Sequence, residues 1–312
     1  MSIPTFLKLV EIQTKIASVF PFLIGILFVW FRFNSFNVVN TLIFFTAMLL
    51  FDLTTTAINN FMDYLKATSD QYRKERNIIG QENIPTTRVF KTIVTMLVIA
   101  SGLGIWLTVR TDLFVLVIGA ICFAIGIFYT FGPIPLSRMP LGEVFSGFTM
   151  GFGIIFLAVY INAYDQGIVH LGFDGATLQF EANLIYLLEI LLISLPSVLT
   201  IANLMLANNI CDLEEDISNY RFTLPYYIGK GAAVKLFNVL YLLSFVAIIT
   251  AVVLQIVPVV VLISLVSFYP VLKHVQLFNK KQIKQETFVV SVKNLVIVNG
   301  AIVASFLLAL FM

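Results

Sequence analysis

The sequence predicts an all-α integral membrane protein. Of its 312 residues, 59% are hydrophobic and only 12% charged, about half the charged share of a soluble domain. Mean hydropathy is +0.97. The apolar residues also fall in continuous runs of about 20, the length that crosses hydrocarbon as a helix, whereas barrel strands would give short alternating segments. In water, a domain this apolar would expose large adhesive patches. The composition therefore excludes a soluble globular enzyme, a disordered chain and a nucleic-acid binder, and makes the lipid bilayer the protein's first partner.

Nine spans are expected, near 16–33, 38–59, 89–109, 113–131, 143–163, 184–208, 234–255, 257–273 and 291–312. The first is long enough to span, and no small-residue cleavage site of a signal peptide follows it. The stretch from Val234 to Leu272 is almost uncharged and would make a single helix about 58 Å long, about twice the hydrocarbon thickness. Gln255 and Pro258 place a polar group and a helix breaker at its middle, so two spans joined by a tight turn are expected. Cys122 and Cys211 follow neither a disulfide nor a metal-ligand pattern.

With nine spans and the N-terminus inside, 17 of the 19 Lys and Arg residues fall in cytoplasmic segments, and only Arg32 and Arg110 lie outside. That asymmetry sets the orientation and puts the C-terminus outside. The acids follow the same division, with 11 of 17 on the inner side. The outer loop from Tyr164 to Asn183 has no Lys or Arg and reads as a solvated connector. Three inner loops, 60–88, 132–142 and 209–233, concentrate ionisable residues at helix ends.

Two of these loops echo each other. Asn59-Asn60-Phe61-Met62-Asp63 ends the second span, and Asn208-Asn209-Ile210-Cys211-Asp212 ends the sixth. Four spans separate them, so both face the same side, as in a weak internal repeat within one domain covering 1–312. Asp70 follows the first motif; Glu214, Glu215 and Asp216 follow the second. On a continuing helix Asn59 and Asp63 share a face, as do Asn208, Asp212 and Asp216. Like charges at that spacing repel, so they call for a cation. Carboxylate and amide oxygens suit Mg²⁺, which completes its shell with phosphate oxygens. A single D-x-x-x-D at a helix end is usually a solvated surface feature. Here the acids sit at helix C-termini, where the helix dipole disfavours them, and they are duplicated beside Lys66, Arg73 and Arg221. Metal and guanidinium groups together suit a diphosphate.

A third inner segment runs from Tyr129 through Gly132-Pro133-Ile134-Pro135 and Arg138 to Gly142-Glu143. Its prolines and glycines make a rigid, non-helical cap. Tyr129 alone would pass for an interfacial aromatic, and Glu143 for a helix N-terminal acid.

These residues resemble the UbiA superfamily of intramembrane aromatic prenyltransferases. Asn59, Asp63 and Asp70 match its first motif, Asp212 and Asp216 its second. The run from Ala207 to Ile217 with Arg221, Thr223 and Leu224, the Gly132-Pro133 to Glu143 segment, and the opening Leu9 to Lys15 are similar to the branch that acts on 1,4-dihydroxy-2-naphthoate in menaquinone synthesis. The chain departs from the family pattern at Asn60, where an Asp is usual, and in the spacing from Asp63 to Asp70.

The resemblance implies nine helices around a lipid-accessible cavity with a cytoplasmic cap. It implies Mg²⁺ held by Asn59, Asp63, Asp70, Asn208, Asp212 and Asp216, and a long prenyl diphosphate neutralised by Lys15, Lys66, Arg73, Arg138 and Arg221. It further implies a catalytic role for Asp63 and Asp212, an allylic cation faced by Tyr129, and an aromatic acceptor oriented by Glu143. The active site would lie at the cytoplasmic face of a bacterial-type plasma membrane; no obligate protein partner is implied. Another acceptor, such as 4-hydroxybenzoate, is the nearer alternative. A secondary transporter is the more distant one, because such proteins carry their ionisable residues near the midplane, whereas here the span interiors hold few acids, chiefly Asp52 and Glu189, and the clusters lie at the cytoplasmic surface.

Overall fold

The apolar runs become helices throughout the computed structural model, which describes residues 1–67, 72–130 and 136–311. In chain order they are α1 (Ile16–Phe33), α2 (Val38–Lys66), α3 (Thr86–Arg110) and α4 (Leu113–Thr130). There follow α5 (Gly142–Ala163), α6 (Leu184–Cys211), α7 (Lys230–Val253), α8 (Val259–Lys280) and α9 (Val289–Leu310). Among the described residues, eight of these are long and apolar enough to cross a membrane, and the apolar stretch of α4, Leu113–Tyr129, is shorter. The protein is thus a multi-pass α-helical membrane protein.

The chain divides into two compact units. The first comprises Met1–Ile16 with Val38–Pro135, and so contains α2, α3 and α4. Its buried core joins Leu53 and Ala57 of α2 to Val89, Ile93 and Met96 of α3, with Leu9, Val10 and Ile79 closing one end. A short helix, Ile3–Leu9, starts where Ser2 accepts a hydrogen bond from the Thr5 amide and Pro4 takes the first turn.

The second unit comprises Ala17–Asn37 with Leu136–Met312, and so contains α1 and α5 to α9. Within it, α6 packs against α5, α7 and α9. The middle of α5, Gly147–Gly153, is wound as a π-helix. Glycine is required there because a Cβ on Gly151 would lie 2.5 Å from the Val198 Cα, the close backbone approach that small residues allow in membrane helices. Polar side chains hold the same helices. Ser197 donates to Asn299 Oδ1 at 2.6 Å, and Asn299 Nδ2 donates to Thr200 Oγ1 at 3.0 Å.

The expected break between two spans falls where the sequence placed it. Val253 ends α7, Gln255 adopts the left-handed conformation with φ 58°, and Pro258 caps the nine-residue 3₁₀ helix, Val259–Ser267, that opens α8. The Ile256 amide bonds back to the Ala251 carbonyl and the Gln255 amide to the Val252 carbonyl, the pairing that closes a helix C-terminus.

The connector after α5 is more ordered than expected. It forms an antiparallel hairpin of β1 (Val169–Asp174) and β2 (Thr177–Ala182). Gly175, at φ +60°, takes the first of the two turn positions, where a left-handed residue matches strand twist. The Tyr160 hydroxyl donates to the Val169 carbonyl and ties the hairpin to α5.

Candidate functional site

The second motif is built on the end of α6. Asn208 lies in its last turn. The regular helix stops at Asp212 and restarts as a short helix, Leu213–Ser218. The interruption does not scramble the face. The Asp212 amide bonds to the Asn208 carbonyl at 3.0 Å and the Asp216 amide to the Asp212 carbonyl at 2.8 Å, so the helical ladder stays in register and the three side chains share one side.

That side already holds a cation. The Lys284 ammonium, from the turn between α8 and α9, donates to Asn208 Oδ1 and, at 2.5 Å, to Asp212 Oδ2. Asp216 is only 4% exposed. Its Oδ1 lies 3.4 Å from Arg221 Nε, and its Oδ2 is buried with no hydrogen-bond partner. Burial pushes the Asp216 carboxyl above its ordinary value, against the nearby Arg221 charge. Hard oxygen donors that attract an ammonium, beside a carboxylate oxygen left open, fit a hard divalent ion such as Mg²⁺. Among the described residues no three Asp, Glu, His or Cys side chains group as a ready-made metal cage. A partial shell is what Mg²⁺ uses when phosphate oxygens complete it.

The neighbouring Asn209, part of the motif but given no role by the sequence, also has a defined contact. Its Nδ2 donates at 2.8 Å to Oε1 of Glu143, and both residues are buried. Glu143 Oε2 is buried without a partner. The Arg138 segment joins the same unit through the Phe222 amide, which donates to the Arg138 carbonyl at 3.2 Å, while the Arg138 side chain is exposed.

The first motif is on α2, which continues past it to Lys66. Asn59 and Asp63 are therefore one turn apart on an unbroken helix; Asp63 and Lys66 are exposed. Asp70 lies outside the described residues, as do 131–135 of the cap. Arg73 donates to the Ala67 carbonyl at 2.8 Å and stacks 5.8 Å from the Tyr64 ring. Tyr129 is half-buried at the end of α4.

Asn60, the departure from the family pattern, has a structural reason. Its Nδ2 donates to the Leu9 carbonyl at 2.9 Å and to Glu11 Oε1 at 3.3 Å. An aspartate would face both acceptors with its own negative oxygens. Lys15, expected to meet diphosphate, is 4% exposed. Its ammonium donates to Asp52 Oδ1 at 2.8 Å and Thr56 Oγ1 at 2.6 Å.

The other acid within a span, Glu189, is also neutralised. Arg32 grips it with two parallel bonds, Nε to Oε2 at 2.8 Å and Nη2 to Oε1 at 2.9 Å. Asp52 and Glu189 are therefore each held in an ion pair, as a charge within a membrane requires.

Comparison with known proteins places this arrangement. The UbiA prenyltransferase family model matches residues 18–298. The chain is 27% identical over 235 residues to a 1,4-dihydroxy-2-naphthoate octaprenyltransferase of Bacillus subtilis (strain 168), covering 73% of this chain and 67% of that protein. A UbiA homolog from Aeropyrum pernix K1 has the same fold, with a TM-score of 0.69 at 14% identity over 92% of this chain and 97% of the other. A UbiA homolog from Archaeoglobus fulgidus bound to GPP and Mg²⁺ superposes with a TM-score of 0.63 at 13% identity, over 99% of this chain and 100% of the other. With the matched family spanning most of its length, the chain belongs to the UbiA prenyltransferase family and is a prenyltransferase.

Proposed function

We propose that the protein transfers a polyprenyl group from a long-chain prenyl diphosphate to 1,4-dihydroxy-2-naphthoate, giving the quinol form of demethylmenaquinone, diphosphate and carbon dioxide. The observation that carries the reading is the second motif: Asn208, Asp212 and Asp216 in helical register, holding one cation and leaving a buried carboxylate oxygen open. The naphthoate acceptor rests on the similarity to the Bacillus subtilis octaprenyltransferase.

Metal ligands come from Asn208, Asp212 and Asp216 on one motif and Asn59, Asp63 and Asp70 on the other. When bound, Mg²⁺ supplies charge neutralisation for the departing diphosphate. Lys66, Arg73, Arg138 and Arg221 are the basic groups that add to it. The allylic C–O bond breaks with its electron pair going to diphosphate. The ring carbon bearing the carboxylate then attacks the allylic cation, and the carboxylate leaves as carbon dioxide to restore the aromatic ring. Tyr129 offers its ring face to the cation. Glu143 holds Asn209 with one oxygen and keeps Oε2 for a ring hydroxyl proton of the acceptor. The excess of basic residues in the inner loops supports an N-terminus and both motifs on the cytoplasmic side of a bacterial-type plasma membrane, with the C-terminus outside.

Purified protein supplied with Mg²⁺, a prenyl diphosphate and 1,4-dihydroxy-2-naphthoate should release diphosphate and carbon dioxide and form demethylmenaquinol, which air oxidises to demethylmenaquinone. Prenylation of 4-hydroxybenzoate in its place would overturn the acceptor. A transport role is disfavoured by the two fixed intramembrane pairs, which leave Asp52 and Glu189 already neutralised.

A further inference from the structure

We propose that Lys284 is an exchangeable counter-ion of the second motif: its ammonium occupies the cation position between Asn208 and Asp212 when no metal is bound, and gives way to the divalent ion to meet diphosphate. The inference rests on the reading of Asp212 as a metal ligand.

The side chain is placed for this. It comes from a turn that is itself fixed. The Ile283 amide donates to Thr287 Oγ1 at 2.9 Å, the Thr287 hydroxyl donates to the Ile283 carbonyl at 3.2 Å, and Thr287 is buried. The ammonium therefore swings on a flexible four-carbon stem from a rigid base. It passes 4.9 Å from the centroid of the Phe288 ring, a second place where a cation is favoured. The side chain of Lys284 is 37% exposed and that of Asp212 23%, so the pair is open enough to exchange. Its neighbour Lys281 is different: it is committed to Glu286 at 2.9 Å, and both are more than half exposed.

An ammonium and a divalent ion compete for the same oxygens. Without substrate, Lys284 keeps Asp212 and Asn208 from repelling or drifting, at the expense of metal affinity. With diphosphate present, the displaced ammonium gains a new partner, so metal and diphosphate binding become coupled.

The test is Mn²⁺ binding to the purified full-length protein in detergent, read by electron paramagnetic resonance with and without inorganic pyrophosphate. K284M should bind Mn²⁺ about tenfold more tightly than wild type without pyrophosphate, since a competing charge-assisted bond is gone. K284R should stay near wild type, and K281M should change affinity by less than about twofold, as expected for an exposed pair. Pyrophosphate should tighten Mn²⁺ binding more in wild type than in K284M. A mere structural tether predicts the opposite sign, with K284M loosening Asp212 and weakening the ion. Unchanged or weaker Mn²⁺ binding by K284M, with D212N still impaired, would overturn the counter-ion role alone. Undiminished binding by D212N would overturn the metal reading of Asp212 and the proposal with it.

Discussion

Replacing Asp216 with asparagine should make the metal-free protein more stable and the enzyme far less active. Asp216 is buried, and its Oδ2 has no hydrogen-bond partner. A buried charged oxygen left unsatisfied costs about 1–3 kcal/mol. The compensating contact is long, 3.4 Å to Arg221 Nε, and the Arg221 side chain is 36% exposed, so after solvent screening it contributes well under about 1 kcal/mol. Removing the charge at nearly constant shape should therefore stabilise the protein by about 1 kcal/mol, or roughly 2–4 °C in unfolding temperature.

The assay is thermal unfolding in detergent, first with chelator and then with Mg²⁺ and pyrophosphate. Ligand that binds only the folded state adds about 2.7 kcal/mol when present at about 100 times its Kd. Wild type should receive that gain and D216N little of it, so the order of stabilities should reverse on adding ligand. Turnover of D216N should fall by at least about 100-fold, since metal binding supplies several kcal/mol of charge stabilisation. If D216N is the less stable protein in chelator, or if both gain equally from ligand, the assignment of Asp216 as an oxygen held open for metal fails.

Four further outcomes follow from the geometry. N60D should destabilise the first unit by about 1–3 kcal/mol, because it sets a carboxylate against Glu11 and the Leu9 carbonyl; E11Q in the same protein should recover most of the loss in a double-mutant cycle of unfolding temperatures. N209D should be the harsher change, about 3–5 kcal/mol, because Glu143 and its partner are both buried; recovery of folded protein after detergent extraction measures it. D52A should lower stability more than the double variant K15M/D52L, because the single change strands a buried ammonium while the double removes the pair. Glu82 is held below its ordinary carboxylate value by the Lys8 ammonium at 2.6 Å and by Thr5. That contribution is present above the ordinary value and is lost as pH falls through the depressed one. Protection factors of the Ile3–Leu9 amides, taken relative to the intrinsic exchange rate at each pH, should accordingly fall in acid in wild type, and less so in E82Q.

Much of this protein is legible in its sequence because a membrane helix needs little tertiary information. Backbone groups must be satisfied within the segment, so apolar length and breakers fix the helices, down to the turn at Gln255 and Pro258. The motifs were legible for a related reason: charges at helix ends in so apolar a chain are few and easy to compare. What stayed hidden depends on contacts between distant residues. Lys284 lies 72 residues from Asp212, and Arg32 lies 157 from Glu189; neither pairing leaves a local pattern. The hairpin did leave one, Asp174-Gly175 between apolar residues, a turn signal outweighed by the polarity of the loop. The shorter apolar helix α4 shows the limit of counting runs, since hydropathy gives the extent of a segment only approximately.

The two motifs share more than the N-N-x-x-D spelling. In each motif the second asparagine donates its side-chain amide to a glutamate close to the start of the preceding span: Asn60 to Glu11 ahead of α1, and Asn209 to Glu143 at the start of α5. In the second motif the first asparagine and the aspartate, Asn208 and Asp212, meet the Lys284 ammonium. In each motif one amide thus fixes the helix end, and in the second a carboxylate one turn from the other amide faces a charge. On this reading Asn60 is no loss of a ligand. It is the residue that allows a glutamate to sit beside the first motif, as Asn209 does beside the second. Exchange of the asparagine for the family's usual aspartate would be tolerated only where the facing glutamate changed with it.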